Sequence, residues 1–169
     1  MDTSSYLDTS QAVARYRDMV YGIALTHTRS RTDADDVFQE VFLTYHRKHL
    51  AFFDDERRKA WLIVTTLNCA KRATESSWQA KIVPLHEHVS EERHDDRFRF
   101  RTDEQDAVFA ALQELPNKYR TVLHLYYFED MSVAQICTAL CLEAGTVKVQ
   151  LSRGRAQMRE KLKGEYFDE

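Results

Sequence analysis

The apolar positions in the first part of the chain recur every three or four residues, the period of an amphipathic helix. They do so in three segments: from about residue 9 to 27, from Thr32 onwards, and from about residue 57 to 73. A stripe of this kind buries one helix face and leaves the other polar. Thr32 and Asp35 fit the capping-box pattern, so the second helix is predicted to begin there. We therefore predict three amphipathic helices before residue 74.

The last third of the chain predicts four more helices. Capping boxes and a proline mark where three of them begin: Thr102 with Gln105, Pro116 at a first helical turn, and Ser132 with Gln135. The last helix runs from about residue 144 to 163, with apolar residues at helical spacing. Its short, capped predecessor and the sharp turn between them predict a helix-turn-helix. This half is thus expected to form a compact four-helix unit.

Residues 75–102 separate the two halves and differ from both. They are highly charged, contain one proline and show no sustained hydrophobic period. A segment this long without its own periodicity is unusual inside one compact domain. We therefore predict an all-α protein of two small helical domains, residues 1–74 and 103–169, joined by a flexible linker at 75–102. RFRFR, at 97–101, alternates like a strand but is too short to decide.

Composition narrows the possible partners and location. Only 4 Gly and 2 Pro among 169 residues disfavour a turn-rich β protein. A net charge of −3 does not fit a protein that coats nucleic acid through bulk charge, so any DNA contact must be local. The chain has no apolar run of about 20 residues, and its polar start lacks signal-peptide features. With three cysteines outside any disulfide spacing, we expect a cytoplasmic protein without membrane contact.

The last helix carries the strongest candidate chemistry. Residues 148–163 hold six cations and one acid, a local charge of +5. Such a helix suits the phosphate-lined major groove, where bound cations also release counterions. Charge alone would favour an ordinary solvated basic face. The short capped helix in front favours DNA reading, because a helix-turn-helix directs the second helix's N-terminus at base edges.

Two further segments leave alternatives open. In DADDVFQEVF, residues 33–42, and just beyond it, polar and acidic side chains share a face opposite the apolar stripe. That face either is simply solvated or docks on a basic protein surface. In FFDDERRKAWLIVTTLNCAKR, residues 52–72, cations alternate with aromatics. This suits single-stranded DNA, since rings stack on unpaired bases while cations hold phosphates. Core aromatics beside a basic face are the alternative.

Signatures of catalysis are missing from the sequence. It contains no G-x-x-x-x-G-K-[ST], G-x-G-x-x-G, H-E-x-x-H or G-x-S-x-G. His86 and His88 lack partners at metal-ligand spacing, and the pair Cys137 and Cys141 is more typical of small core residues. We therefore expect no enzyme activity, no cofactor and no metal.

These segments, in this order, resemble the extracytoplasmic-function (ECF) group of bacterial sigma-70 factors. DADDVFQEVFLTYHR is similar to the region 2 motif of that family, and RKAWLIVTTLNCAKR to the helix after it. The stretch from LQELPNKYRTVL to GTVKVQLSRGRAQMREKL is similar to region 4 nearly end to end. The resemblance covers roughly residues 10–73 and 104–163, and implies two helical domains joined by a flexible linker.

The resemblance also implies partners and roles for individual residues. The first helices of region 4 would bind the β flap of RNA polymerase, and an anti-sigma factor would hold many such proteins inactive. The clamp helices of the β′ subunit would bind Asp36, Gln39, Glu40, Phe42 and Leu43. The melted −10 element would be held by Phe52, Phe53, Asn68, Lys71 and Arg72. The −35 major groove would be read by Thr146, Lys148, Val149, Ser152, Arg153 and Arg155.

Three departures from the family pattern, and two rival functions, stay open. Cys141 occupies a turn position where the family usually has glycine, so the turn is expected to differ slightly. Val149 and Gln150 replace a common Ser-Arg, and Arg72 stands where an acid is frequent.

One rival is a stand-alone helix-turn-helix regulator that binds operators as a dimer. The other is a protein-interaction module whose helix-turn-helix no longer reads DNA.

Overall fold

Helices make up the ordered architecture of this computed structural model, which describes residues 6–80 and 103–166. No strand occurs among those residues, and the predicted all-α fold is confirmed there. Thr102 of one predicted capping box and the RFRFR segment lie outside the described residues. No helix within the two ranges is both long and apolar enough to cross a membrane. Within the same ranges, no three His, Cys, Asp or Glu side chains gather as they would around a metal ion.

Three helices form an N-terminal lobe: α1 (Thr9–Thr28), α2 (Arg31–Lys48) and α3 (Asp55–Ala80). Each packs against the other two. The apolar stripes predicted from the sequence meet in a shared core, in which Val20, Val37, Val41 and Leu62 are at most 1% exposed. Burying large aliphatic side chains contributes about 1.5–3 kcal/mol each, so this core is the main source of the lobe's stability.

The starts of α1 and α2 show one correction to the sequence prediction. Asp8 and Gln11 form a capping box at α1, with the Asp8 carboxylate accepting the Gln11 N–H at 2.8 Å. The predicted capping box at Thr32 is wrong, because Ser30 caps α2 by accepting the Asp33 N–H at 3.2 Å. Arg29 adopts a left-handed conformation and ends α1, so α2 begins earlier than expected.

Helix α3 is longer than predicted at both ends. Asp54 accepts the Arg57 N–H at 2.8 Å and satisfies the first turn. The helix continues to Ala80, so the first six residues of the predicted linker, 75–80, are helical. The hydrophobic stripe ends near Ala73, and this last stretch of helix therefore extends beyond what the apolar period could indicate.

The C-terminal lobe contains α4 (Asp103–Gln113), α5 (Asn117–Tyr127), α6 (Val133–Leu140) and α7 (Ala144–Tyr166). Pro116 lies just before α5 rather than inside its first turn. The predicted capping box at Ser132 and Gln135 is confirmed, with hydrogen bonds of 3.1 and 2.8 Å. These four helices match the predicted four-helix unit.

Helix α7 crosses α5 closely at Gly154. A Cβ atom added there would lie 2.9 Å from Leu123 Cδ1 and 3.3 Å from Tyr119 Cβ. Val147 and Leu151 of α7 are 0% and 2% exposed, so the same face is anchored one and two turns earlier. The glycine allows α7 to approach α5, which fixes the orientation of the opposite, polar face of α7.

The two lobes contact each other through α1 and α5 and through α3 and α6. Thr26 Oγ1 and His124 Nδ1 are hydrogen-bonded at 2.9 Å between them, and both residues are buried. This contact joins residues 98 positions apart and was not predicted from the sequence.

Candidate nucleic-acid interface

The first three turns of α7 present an exposed polar face. Val147 and Leu151 are buried beneath it, which directs the intervening residues outward. Five of the six residues expected to read the −35 groove are exposed on these turns: Thr146, Lys148, Val149, Ser152 and Arg153. Val149 is 47% exposed, so its methyl groups are free to meet an apolar base edge. The face combines hydroxyls, cations and an apolar contact, which suits a base-reading surface.

The turn in front of α7 keeps the left-handed conformation although it lacks glycine. Cys141 has φ 54° and ψ 45°, and its N–H donates to the Cys137 carbonyl. The Leu142 N–H donates to the same carbonyl at 3.1 Å. The expectation that Cys141 would alter the turn is therefore not met in its backbone, although a non-glycine residue at positive φ is unfavourable.

Arg155 is separated from the other residues predicted to read the −35 groove. It is half-buried, and its Nε donates to Tyr127 Oη at 2.6 Å. Its guanidinium also lies over the Tyr126 and Tyr127 rings, 5.5 and 5.6 Å from their centroids. Arg155 therefore ties α7 to α5, and a direct DNA contact would require it to leave both rings.

The loop before α3 holds two phenylalanines in different environments. Phe53 is 82% exposed, with the Arg57 guanidinium 5.1 Å from its ring centroid. Phe52 packs between Tyr45 and Trp61, at centroid distances of 6.4 and 6.0 Å. Of the two phenylalanines expected at the −10 element, Phe53 is free to stack on a base, whereas Phe52 supports the loop from the core.

Arg58 belongs to the fold rather than to the surface. It is 0% exposed, pairs with the Asp55 carboxylate and lies over the Phe52 ring, 5.5 Å from the centroid. Asp55 also pairs with Arg15 of α1 at 2.6 Å. The run Arg57-Arg58-Lys59 resembled a basic patch in the sequence, but its central member joins α3 to the loop and, through Asp55, to α1.

Further along α3, the predicted −10 residues Asn68, Lys71 and Arg72 are exposed. Arg72 Nη2 donates to Glu40 Oε1 of α2 at 2.9 Å and to Cys69 Sγ at 3.3 Å. Burial raises the pKa of the Cys69 thiol, which keeps it protonated beside the guanidinium. The structure thus joins a residue expected at DNA to one expected at polymerase, a link that sequence spacing could not reveal.

The outer face of α2 carries the remaining predicted residues. Asp36, Gln39, Glu40 and Leu43 are exposed together, and Leu43 is 50% exposed. Phe42 is a correction: it is 5% exposed and packs on Phe38 at 4.9 Å between ring centroids, so it supports this face from within. An acidic face with an apolar leucine suits a basic, partly apolar protein surface.

Comparison with known proteins gives a family for both lobes. A family model described as Sigma-70 region 2 matches residues 12–79, and one described as Sigma-70, region 4 matches residues 105–158. The chain is 27% identical over 154 residues to the RNA polymerase sigma-H factor of Pseudomonas aeruginosa, covering 85% of this chain and 80% of that protein. It is 24% identical over 159 residues to the ECF RNA polymerase sigma factor SigW of Bacillus subtilis, covering 88% and 85%.

A solved structure shows the same fold. The sigma factor RpoE of Bartonella quintana, determined in complex with the anti-sigma factor NepR, aligns with a TM-score of 0.70 at 19% identity. The alignment covers 95% of this chain and 98% of that one. The resemblance seen in the sequence is confirmed by the region 2 and region 4 matches and by relatives that match over most of their length: the chain belongs to the ECF group of the sigma-70 family of RNA polymerase sigma factors.

Proposed function

We propose that this chain binds core RNA polymerase, directs it to a particular set of promoters and helps to melt the start region. The exposed face at the start of α7 carries the proposal. Its five outward residues form a duplex-reading surface on a helix that buried Val147 and Leu151 hold in place. Members of this family are transcription initiation factors rather than catalytic enzymes.

In the −35 element, Lys148 and Arg153 would contact phosphates or guanine edges, and Thr146 and Ser152 would donate or accept hydrogen bonds. Both cations are exposed on the α7 face. Val149 replaces the polar residue common in the family, and its methyl groups suit contact with a thymine methyl. This substitution would make the preferred −35 sequence differ from those of relatives.

In the −10 element, Phe53 would stack on an unpaired base while Asn68, Lys71 and Arg72 hold the strand. Phe53 is the most exposed large apolar residue of the described chain, at 82%. An exposed aromatic ring is available to stack on an unpaired base, and this stacking stabilises the complex with single-stranded DNA. Arg57, over the same ring, would add a cation beside the phosphates.

The outer face of α2 would dock on the clamp helices of the polymerase β′ subunit. Asp36, Gln39 and Glu40 provide polar and acidic groups, and exposed Leu43 provides the apolar contact. The C-terminal lobe would bind the β flap. Since polymerase would supply part of the promoter affinity, a net charge of −3 is compatible with DNA binding.

The proposal is tested by transcription from a promoter of this protein. Sequencing the transcripts that rise on overexpression gives candidate promoters, and run-off transcription is then measured with core polymerase, with and without the purified chain. Initiation that requires both components is the expected result. If the chain alone binds the duplex tightly and core polymerase with the chain starts no transcript, the stand-alone regulator is the better account.

We also propose that the protein acts in the cytoplasm under the control of an anti-sigma factor. One similar solved structure is the sigma factor RpoE in complex with the anti-sigma factor NepR, and another is CnrH in complex with the cytosolic domain of CnrY. The exposed α2 face and the lobe arrangement offer surfaces that such an inhibitor would cover. Co-purification of the tagged chain from its native host is the test: repeated recovery of polymerase subunits without any further protein would contradict this part of the proposal.

A further inference from the structure

Val149 projects from the side of α7 that faces away from the core. Val147 and Leu151, two residues before it and two residues after it, are 0% and 2% exposed. Because two residues of an α-helix correspond to about 200° of rotation, Val149 points almost opposite to both. It is 47% exposed, the highest value among the large apolar residues described on α7. Val149 is therefore an apolar surface that the core does not use.

The neighbours of Val149 on the helix surface leave it uncovered. The residues three and four positions away are Gly145, Thr146, Ser152 and Arg153, and all four are exposed. Three of the four are no larger than threonine, and a Cβ atom added at Gly145 would lie in open space. The edge of a base can thus approach the methyl groups of Val149 closely.

The charge around Val149 indicates the kind of partner that fits it. Lys148 precedes it and Arg153 follows one turn later, and both are exposed. Residues 148–163 carry a local charge of +5. An apolar group flanked by cations is complementary to a surface on which an apolar group lies between anions. The major groove of DNA provides such a surface, because the C5 methyl group of thymine lies there between two rows of phosphates.

Position 149 also has no group that could sense the polar edge of a base. The side chain of valine has neither a donor nor an acceptor, whereas the serine common at this position in the family has both. The next residue, Gln150, is half-buried, and its Oε1 atom is buried in the protein. In the major groove thymine presents O4 and a C5 methyl group, and cytosine presents an N4 amino group. Val149 can therefore respond to the methyl group, but not to the difference between O4 and N4.

We propose that Val149 forms a subsite for the methyl group of a 5-methylpyrimidine, so that 5-methylcytosine is accepted at this position as thymine is. Uracil and unmethylated cytosine lack the group that the subsite binds. The inference rests on the proposed function, because it requires α7 to lie in the −35 major groove. A −35 element with cytosine at this position is then bound more tightly when that cytosine carries a methyl group at C5. Cytosine methylation thus adjusts the strength of such a promoter without any change in its base sequence.

The test is a methyl scan of a −35 element with holoenzyme formed from core polymerase and the full-length chain. Binding to a labelled promoter duplex, chosen by transcript sequencing, is measured by fluorescence anisotropy. Each thymine of the element, on either strand, is replaced in turn by uracil, and each cytosine by 5-methylcytosine. We expect one position at which the loss or gain of a methyl group changes the Kd about fourfold, the effect of burying one such group. There, 5-methylcytosine should bind about fourfold more tightly than cytosine, each paired with guanine.

Substitution of Val149 assigns the effect to this residue. Val149→Ser removes both methyl groups at an exposed position, so it should abolish the methyl dependence while the melting temperature stays near that of the wild type. Ala156→Ser, at an exposed position about two turns further along α7, is the matched control and should keep the full methyl dependence. Added salt should weaken binding of the methylated and unmethylated duplexes by the same factor, because the methyl contact involves no charge.

Two results would overturn the proposal. One is a scan in which no methyl group affects binding, or in which Val149→Ser leaves the effect in place. The other is 5-methylcytosine that binds no better than cytosine at the position where uracil weakens binding. Either result, with a holoenzyme that still initiates transcription, contradicts this inference alone. A holoenzyme that recognises no promoter contradicts the proposed function, and the methyl subsite with it.

Discussion

Helices α3 and α7 are both rich in cations and both proposed to bind DNA, but they hold their cations differently. On α7, Lys148 and Arg153 project from an exposed face above a buried apolar row. On α3, Arg58 is buried, Lys59 donates to the other lobe, and Arg72 pairs with Glu40. A surface that reads duplex DNA can keep its cations exposed to solvent at all times. A surface that binds a single strand by stacking a base on an exposed aromatic ring needs fewer exposed cations. Its other cations can therefore form contacts within the protein.

The removal of Arg58 should have the largest effect among the changes that test this difference between α3 and α7. Arg58→Ala removes a fully buried side chain and leaves a gap beneath Phe52, whereas Asp55 keeps its pair with Arg15, so we expect about 3 kcal/mol of lost stability. The melting temperature should fall by roughly 12–24 °C for a lobe of this size. Arg57→Ala, the exposed neighbour, is the matched control and should change stability by less than about 0.5 kcal/mol. Equal effects at both positions would contradict the separation of structural and surface cations.

On α7 the cations should matter for DNA and not for folding. Replacing Lys148 and Arg153 together by Ala should weaken promoter binding by about 2–3 kcal/mol and lower the salt slope by about two. The melting temperature should stay near that of the wild type. Arg159→Ala, also exposed but two turns further along α7, serves as the control. Unchanged promoter-specific transcription in the double variant would remove the DNA-reading role and favour the interaction module.

The two phenylalanines before α3 sharpen the comparison further. Phe53→Ala should weaken binding of a fork-shaped promoter DNA with an unpaired −10 strand by about 1–2 kcal/mol, the value of one stacked base. Because Phe53 is 82% exposed, stability should barely change. Phe52→Ala should do the reverse, lowering the unfolding temperature through the loss of its contacts with Tyr45 and Trp61. Full DNA binding by Phe53→Ala, measured by fluorescence anisotropy, would exclude the stacking role.

The smallest expected effect concerns the ion pair between α2 and α3. Glu40→Gln should free Arg72 and tighten binding of the free chain to a single-stranded oligonucleotide by about twofold, since an exposed ion pair restrains its members only weakly. Asp36→Asn removes the same charge one turn earlier on α2 and controls for overall charge. If both variants tighten binding equally, the Glu40–Arg72 pair does not restrain Arg72.

The sequence predicted the parts of this molecule that follow from local patterns. The Ser132–Gln135 cap and the alternation of buried and exposed positions on α7 depend on neighbours within four residues, and both were found as expected. The cap of α2 was placed two residues late, because Ser30 and Thr32 both fit the pattern. What decides between them is the left-handed Arg29, which the sequence does not reveal.

Contacts between distant residues could not be predicted in the same way. The Glu40–Arg72 pair spans 32 positions, and the Thr26–His124 bond spans 98. Each depends on how helices pack, which the hydrophobic period does not encode. For the same reason, Phe42 and Arg58 could not be recognised as buried: an aromatic ring and a guanidinium are both common on binding surfaces, and only the packed fold separates the two roles.

The residues with a left-handed conformation are positions at which a substitution can raise the stability of the protein. In the described chain, Arg29, His49, Asp130 and Cys141 have positive φ, and no glycine does. Each costs roughly 1 kcal/mol relative to a glycine with no Cβ, partly offset by the extra freedom glycine gives the unfolded chain. Glycine at His49, Asp130 and Cys141 would leave every proposed contact residue in place. We therefore expect glycine at these three positions to raise the melting temperature of this sigma factor without changing its promoter preference.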